Sequence, residues 1–281
     1  MKINKIKKIL AVTLATALIV TTFAGCKKDA KSDAKTIKVG VCAGPYGDMF
    51  KEAIQPSLEK LGYKIKIVEF SDYVQPNNAL AEKDIDVNMF QHSTYLKKFS
   101  TEQKLDLSYI TEIPTAAMGV FSSKYKSIDK LPKGAKIAIP NDDTNLSRAL
   151  RVLVQTGVIK LNPDVNPAAA KVKDIAENPK GLKFTEVSAE ILPTVLDSVD
   201  AAVINGNYAI GAGLKLSDAV YNEKLAEGYY NVIAVRTADK DSALSKDIVA
   251  IVHSDKFRKI IEDPKKQYSA FGRPSGYSDN K

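Results

Sequence analysis

The stretch TIKVGVCAGPYGDMFKEAIQPSLEKLGYKIKIVEF, residues 36–70, reads as one strand, one helix and a second strand. TIKVGVC is a short β-branched run bounded by Gly44-Pro45-Tyr46-Gly47, a strand stopped by turn residues. From Asp48 to Leu61 the apolar residues Met49, Phe50, Ala53, Ile54, Leu58 and Leu61 recur at helical spacing and share a face. Gly62 is placed to cap that helix, and YKIKIVEF alternates as a half-buried strand. A helix of this length between two strands brings them side by side in parallel, with the helix across one face.

The same alternation runs outward from there. Residues 77–83 read as a helix, 85–89 as a strand, 93–101 as a helix, and 108–113 and 118–122 as strands. A second unit opens with the strand KIAI, residues 136–139. Asp143, Thr144 and Asn145 are candidate N-caps for an amphipathic helix over 146–155. A strand at 182–187, a helix over 188–199 with Pro193 in its first turns, the apolar strand AAVI at 201–204 and a short helix at 208–214 follow. YNVIAVR, residues 230–236, can return the chain to the first unit, one or two helices span 245–261, and the Pro-, Gly- and Ser-rich tail from 263 is expected to fray. The fold class is α/β: mostly parallel sheets with helices on both faces. One unit inserted in another, with two crossings, predicts two lobes with a ligand cleft between them. Residues 36–117 and 231–281 form lobe 1, and residues 118–230 form lobe 2.

Composition removes several function classes. With 281 residues, 44% of them hydrophobic and 26% charged, the chain can bury a core, so wholesale disorder is excluded. Two Cys and two His exclude a disulfide scaffold and a multi-histidine metal site. Half of the formal charge of +8 comes from Lys2, Lys5, Lys7 and Lys8, and elsewhere Lys alternates with Asp and Glu. No basic stripe remains to mark a nucleic-acid partner. No phosphate loop, dinucleotide fingerprint, serine elbow or zinc-protease motif is present, so no enzyme class is nominated and no cofactor or metal is expected.

The N-terminus has a basic start followed by an uncharged apolar run over residues 9–25, the pattern of an export signal. Phe23-Ala24-Gly25-Cys26 resembles a bacterial lipoprotein cleavage box, with Phe23 where Leu is usual. Residues 1–25 are therefore expected to be a signal peptide, Cys26 the lipidated residue, and residues 26–35 a flexible tether. An uncleaved anchor helix is the alternative. Either way the folded part lies outside the cytoplasm at a membrane. Cys42 is then the lone thiol, and beside the apolar Val39 and Val41 it reads as a buried small residue rather than a nucleophile.

In open α/β sheets ligands bind beyond the carboxyl ends of strands. There the sequence places Tyr46, then Phe90-Gln91-His92, then residues 141–148, then Asn205-Gly206-Asn207. Arg148, on the first turns of its helix, suits a carboxylate by its planar fork; pairing with Asp142 or Asp143 at the surface is the alternative. Asn145 stands one turn before it. Asn205 and Asn207 can hold an ammonium or a carboxylate without net charge, or can simply form a turn. Tyr46, Tyr73, Phe90, His92 and Tyr95 can wall a pocket for an apolar or thioether group; core packing, or helix capping for His92, would explain them equally.

The segments DYVQPNNALAEKDIDVNMFQHSTYL (72–96), IAIPNDDTNLSRAL (137–150), ENPKGLKF (177–184) and DAAVINGNYA (200–209) resemble the NlpA lipoprotein family in consistent order. Its best-known members are methionine-binding lipoproteins of ABC importers. The resemblance implies a two-lobed periplasmic-binding-protein fold, type II-like, and an amino acid or short peptide clamped between the lobes. It also implies delivery to a membrane permease and its ATPase, with methionine as the leading ligand. It assigns Tyr73, Phe90, His92 and Tyr95 to aromatic walls, Arg148 to the ligand carboxylate, and Asn205 with Asn207 to its polar end. One departure stands out. Where many methionine binders carry His-Val-Glu-Pro, this chain reads Pro114-Thr115-Ala116-Ala117, so an acid is replaced by Ala116. A methionine derivative, a short peptide or another amino acid therefore stays open as ligand. A surface lipoprotein with an adhesion or signalling role on the same scaffold is the alternative function.

Overall fold

A computed structural model describes residues 36–277. The expected signal at 1–25, the tether at 26–35 and Cys26 lie outside the described residues.

The first strand–helix–strand unit forms as its pattern requires. Strand β1 (Thr36–Cys42) pairs in parallel with β2 (Lys64–Phe70), in register from Thr36 opposite Lys64 to Cys42 opposite Phe70. The helix between them is continuous but not uniform. Helix α1 (Pro45–Met49) runs through a π turn over Phe50–Ile54 into α2 (Gln55–Lys60). In that turn Gln55 N–H donates to Phe50 O, five residues back. Pro56 has no N–H to bind the Glu52 carbonyl and would crowd it, and the wider turn removes the conflict. The helix buries Tyr46, Met49, Phe50, Ala53, Ile54 and Leu58 against the sheet. Leu61, expected on that face, is 58% exposed because the helix ends at Lys60.

Strands β3 (Val87–Asn88) and β4 (Leu107–Ile113) extend this sheet, and helices α3 (Gln75–Ala81) and α4 (Ser93–Gln103) connect them. The second sheet is built from β5 (Gly119–Phe121), β6 (Lys136–Pro140), β9 (Lys183–Val187), β10 (Ala201–Ile204) and β11 (Tyr221–Asn222). A separate hairpin joins β7 (Lys160–Leu161) to β8 (Ile175–Glu177). Helix α5 (Asp143–Gln155) follows β6 and α6 (Gly206–Gly211) follows β10. Strand β12 (Asn231–Arg236) then returns to the first sheet, and α7 (Ala243–Val252) and α8 (Asp255–Ile261) cover it. The sheet orders are β2-β1-β3-β12-β4 and β11-β5-β10-β6-β9. One strand in each, β12 and β5, runs against the others. The result is a two-lobed α/β fold with a sheet in each lobe.

Two expected segments also differ. Residues 188–199 do not form a helix but two short 3₁₀ turns, Ala189–Ile191 and Leu196–Ser198. Pro193 cannot donate to the Ala189 carbonyl and its ring would crowd it, which blocks an α-helix that starts at Ser188. Nor does the tail fray over 263–277. Tyr268 and Phe271 are almost fully buried, Phe271 meets the Tyr46 ring edge-on at 6.3 Å, and Gly272 exchanges backbone hydrogen bonds with Thr115 at 2.9 Å. Two aromatic rings in the core stabilise the tail by enough to offset the ordering of a Gly- and Pro-rich segment.

The two crossings, residues 114–118 and 223–230, are laced together. Glu223 N–H donates to Met118 O at 2.8 Å, and Met118 N–H donates to Glu223 Oε2 at 3.1 Å. Asn231 N–H donates to Thr115 Oγ1 at 2.7 Å.

Candidate functional site

A cavity lies between the two sheets. All nine residues expected in a binding site line it: Tyr46, Tyr73, Phe90, His92 and Tyr95 from the first sheet's side, and Asn145, Arg148, Asn205 and Asn207 from the second's. Gln91, Ala116, Gly206 and Asn231 complete the lining.

The first side is aromatic. Tyr73 lies 5.7 Å from Phe90, 5.8 Å from Tyr95 and 4.8 Å from Tyr208, ring centre to ring centre. Behind these rings Cys42 is buried, its Sγ donating to Asp72 O at 3.1 Å; burial, then the Asp72 charge, hold its pKa well above the usual thiol value. The loop bearing Phe90 and His92 is held by a buried amide network. Asn77 Nδ2 donates to Gln91 Oε1 at 2.8 Å, and Gln91 Nε2 returns to Asn77 Oδ1 at 2.6 Å. Asn88 Nδ2 adds a third bond to Asn77 Oδ1 at 2.9 Å. Asn231 Nδ2 donates to the Phe90 carbonyl at 2.9 Å from the head of β12. His92 caps α4, its Nδ1 accepting from Tyr95 N–H at 3.1 Å, so its proton sits on Nε2, which stands 3.5 Å from Asn145 Oδ1. Burial, and next the Arg148 charge, push the His92 pKa well below the usual imidazole range, so the ring is neutral. The capping role and the cavity position both hold.

The second side is polar. Asp142 caps α5 through Asn145 N–H at 2.9 Å and orients the Asn145 amide by accepting from its Nδ2 at 3.1 and 3.0 Å. Asn145 Oδ1 accepts from Asn205 Nδ2 at 2.8 Å. That leaves Asn205 Oδ1 buried with no hydrogen-bond partner among the described residues. Arg148 is buried rather than on the surface, and its partner is neither Asp142 nor Asp143. Asp143 pairs with Lys171 at 2.8 Å and with Lys98 at 3.4 Å. The Arg148 fork meets Glu223 instead: Nε lies 3.0 and 3.1 Å from its two oxygens, and Nη2 lies 2.6 Å from Oε2. The Nη1 donors and one Nη2 donor are not used by Glu223. Spacing in the sequence does not single out Glu223 or Asn231. An Asn heading the apolar run of β12 is a faint signal, and Glu223 carries none.

The two sides touch directly. Tyr73 Oη donates to Asn207 Oδ1 at 2.6 Å, Asn207 Nδ2 donates to Ala43 O at 3.1 Å, and Tyr208 Oη donates to Ser71 O at 3.2 Å. Gly44, at φ 120°, makes the approach possible: a Cβ there would stand 2.4 Å from Asn207 O. Tyr46 Oη accepts the Ala116 N–H at 3.1 Å, and burial raises its pKa to about 12. Among the described residues, no group of three or more His, Cys, Asp or Glu side chains is arranged to hold a metal ion, and no helix is long and apolar enough to cross a membrane.

A family model described as NlpA lipoprotein matches residues 37–271. A Haemophilus influenzae protein named probable D-methionine-binding lipoprotein MetQ is 39% identical over 252 residues, 87% of this chain and 91% of that one. A nutrient-binding protein from Burkholderia cenocepacia, solved bound to methionine, is 43% identical, with a TM-score of 0.78 over 83% of this chain and 97% of that one. An ABC-transporter periplasmic substrate-binding protein from Coxiella burnetii is 39% identical, with a TM-score of 0.75 over 80% of this chain and 95% of that one.

Proposed function

Since the chain belongs to the NlpA lipoprotein family, we propose that it is a lipid-anchored, extracytoplasmic substrate-binding protein of an ABC importer. Its cargo is methionine or a closely related amino acid, which it hands to a membrane permease and its ATPase. The observation that carries the ligand class is the pairing, in one cavity, of the outer donors of Arg148 with the orphaned Asn205 Oδ1. A guanidinium edge grips a carboxylate, and a buried acceptor without a partner calls for a donor such as an ammonium. The aromatic wall opposite suits a flexible thioether, with contacts worth about 0.3–1.5 kcal/mol each. Tyr73, Phe90, His92 and Tyr95 hold the side chain on this reading, with Tyr46, Asn145 and Asn207 closing the polar end. Cys26 carries the lipid. The lobes divide at the two crossings, 36–117 with 231–281 on one side and 118–230 on the other. The protein binds without turnover: His92 Nδ1 is committed to its cap, and the nearest thiol, Cys42, is buried behind the rings with its pKa raised.

Mass spectrometry of small molecules released by denaturing the purified chain from Lys27 onward tests this. Methionine or a close analogue at near-stoichiometric amount is the expected cargo, and thermal stabilisation by added L-methionine should accompany it. Release of a sugar or a metal chelate, with no stabilisation by any amino acid, would overturn the reading.

A further inference from the structure

Among the residues lining the cavity, Arg148 alone carries a formal charge, since His92 is neutral. Its counter-charge stands behind the lining. The side chains of Arg148 and Glu223 are 4% and 2% exposed, and the Glu223 carboxylate is further fixed by Met118 N–H at 3.1 Å. The Asp142 carboxylate, also outside the lining, accepts from the Asn145 N–H and Nδ2.

We propose that Glu223 is a specificity-determining residue: as the buried counter-charge of Arg148 it makes the cavity neutral, and so selects zwitterionic amino acids over plain carboxylates of the same shape. This rests on the reading that the cavity takes an amino acid. What decides is net charge among buried side chains. A carboxylate lacking the amine would leave one uncompensated negative charge beside Arg148 and Glu223, where desolvation is costly. A zwitterion leaves none. Without the Glu223 charge the preference moves the other way: the plain carboxylate now neutralises Arg148, and the zwitterion leaves a net positive charge. Glu223 does not line the cavity and acts through Arg148, so a simple loosening of the fold would weaken both ligands alike.

The test is calorimetric titration of L-methionine and of 4-(methylthio)butanoate, its analogue without the amine. The wild-type protein should prefer methionine by about 100-fold or more. In Glu223→Gln that ratio should fall by about tenfold or more, with methionine weakened and the analogue held or strengthened. Glu223→Asp keeps the charge and should keep the ratio while weakening both. An unchanged ratio in a Glu223→Gln protein that melts cooperatively overturns the proposal. The wild-type protein gives a measurement independent of any variant's folding: methionine amide, a cation, should also bind about 100-fold more weakly than methionine. Retention of either charged analogue within about tenfold of methionine overturns the proposal. A wild-type protein that binds neither methionine nor its analogues overturns the ligand reading and this proposal with it, and the wild-type titration alone tells that failure from the others.

Discussion

The cavity has two walls made by different physics. The wall after β1 and β3 is a set of rings packed on one another, held in place by a neutral amide network. The wall after β6 and β10 is a chain of directed hydrogen bonds, Asp142 to Asn145 to Asn205, beside one buried ion pair. Ring packing is a sum of many small contacts and loses stability gradually when a side chain is trimmed. A buried polar chain fails abruptly, because each removed partner strands the group it satisfied. Substitutions on the second wall should therefore cost far more than substitutions on the first.

Arg148→Ala should have the largest effect. It strands the Glu223 carboxylate in a dry interior, so stability should fall by about 3–5 kcal/mol, and methionine binding should be lost. A variant that binds normally, or that melts like the wild type, would break the contrast. Asn205→Ala removes the free acceptor and the donor to Asn145 together, and affinity should drop by about 2 kcal/mol with a smaller change in melting temperature. Tyr73→Phe removes only the Asn207 bond from an aromatic wall that otherwise stays packed. Its cost should be about 1 kcal/mol in binding, read by the same titration.

The smallest effect is one of pH. The folded His92 pKa is depressed by burial, so the unfolded chain binds the extra proton first as pH falls. Stability from the neutral ring is complete above the unfolded imidazole pKa of about 6.5 and is lost as pH drops below it toward the folded value. Melting temperature should therefore decline as pH falls below about 6.5. His92→Asn, which keeps a capping side chain, should flatten that decline. An unchanged pH profile in this variant would show that another group governs it.

How far the sequence could be read follows from the range of the interactions. The strands, the long helices and the nine expected lining residues lie in local patterns: a β run, a break, a polar or aromatic residue near the carboxyl end. Those are visible in one dimension. Glu223 is not, because its meaning comes from Arg148, far away in the chain and brought to it by the return from the second sheet to the first. For the same reason the alternative to a ligand carboxylate that spacing offered Arg148 was a surface pair with Asp142 or Asp143, while the fold gives it the buried Glu223. The tail failed in the opposite sense. Its Gly and Pro argue for fraying, yet Tyr268 and Phe271 find a core assembled from residues that precede them by the length of the domain. The helix expected over 188–199 fails for a local reason: Pro is tolerated where a helix N–H has no partner, and Pro193 lies beyond that first turn.

Two of the bonds that join the lobes end on main-chain oxygens, those of Ala43 and Ser71. Every residue offers a carbonyl, so natural variation at those two positions cannot abolish the acceptors. Selection acting on how firmly the jaws hold their cargo is thus steered to one jaw: drift at Asn207 and Tyr208 tunes the grip, while their counterparts are free to change identity. Homologues that release cargo at different rates should differ at the former pair more than at the latter.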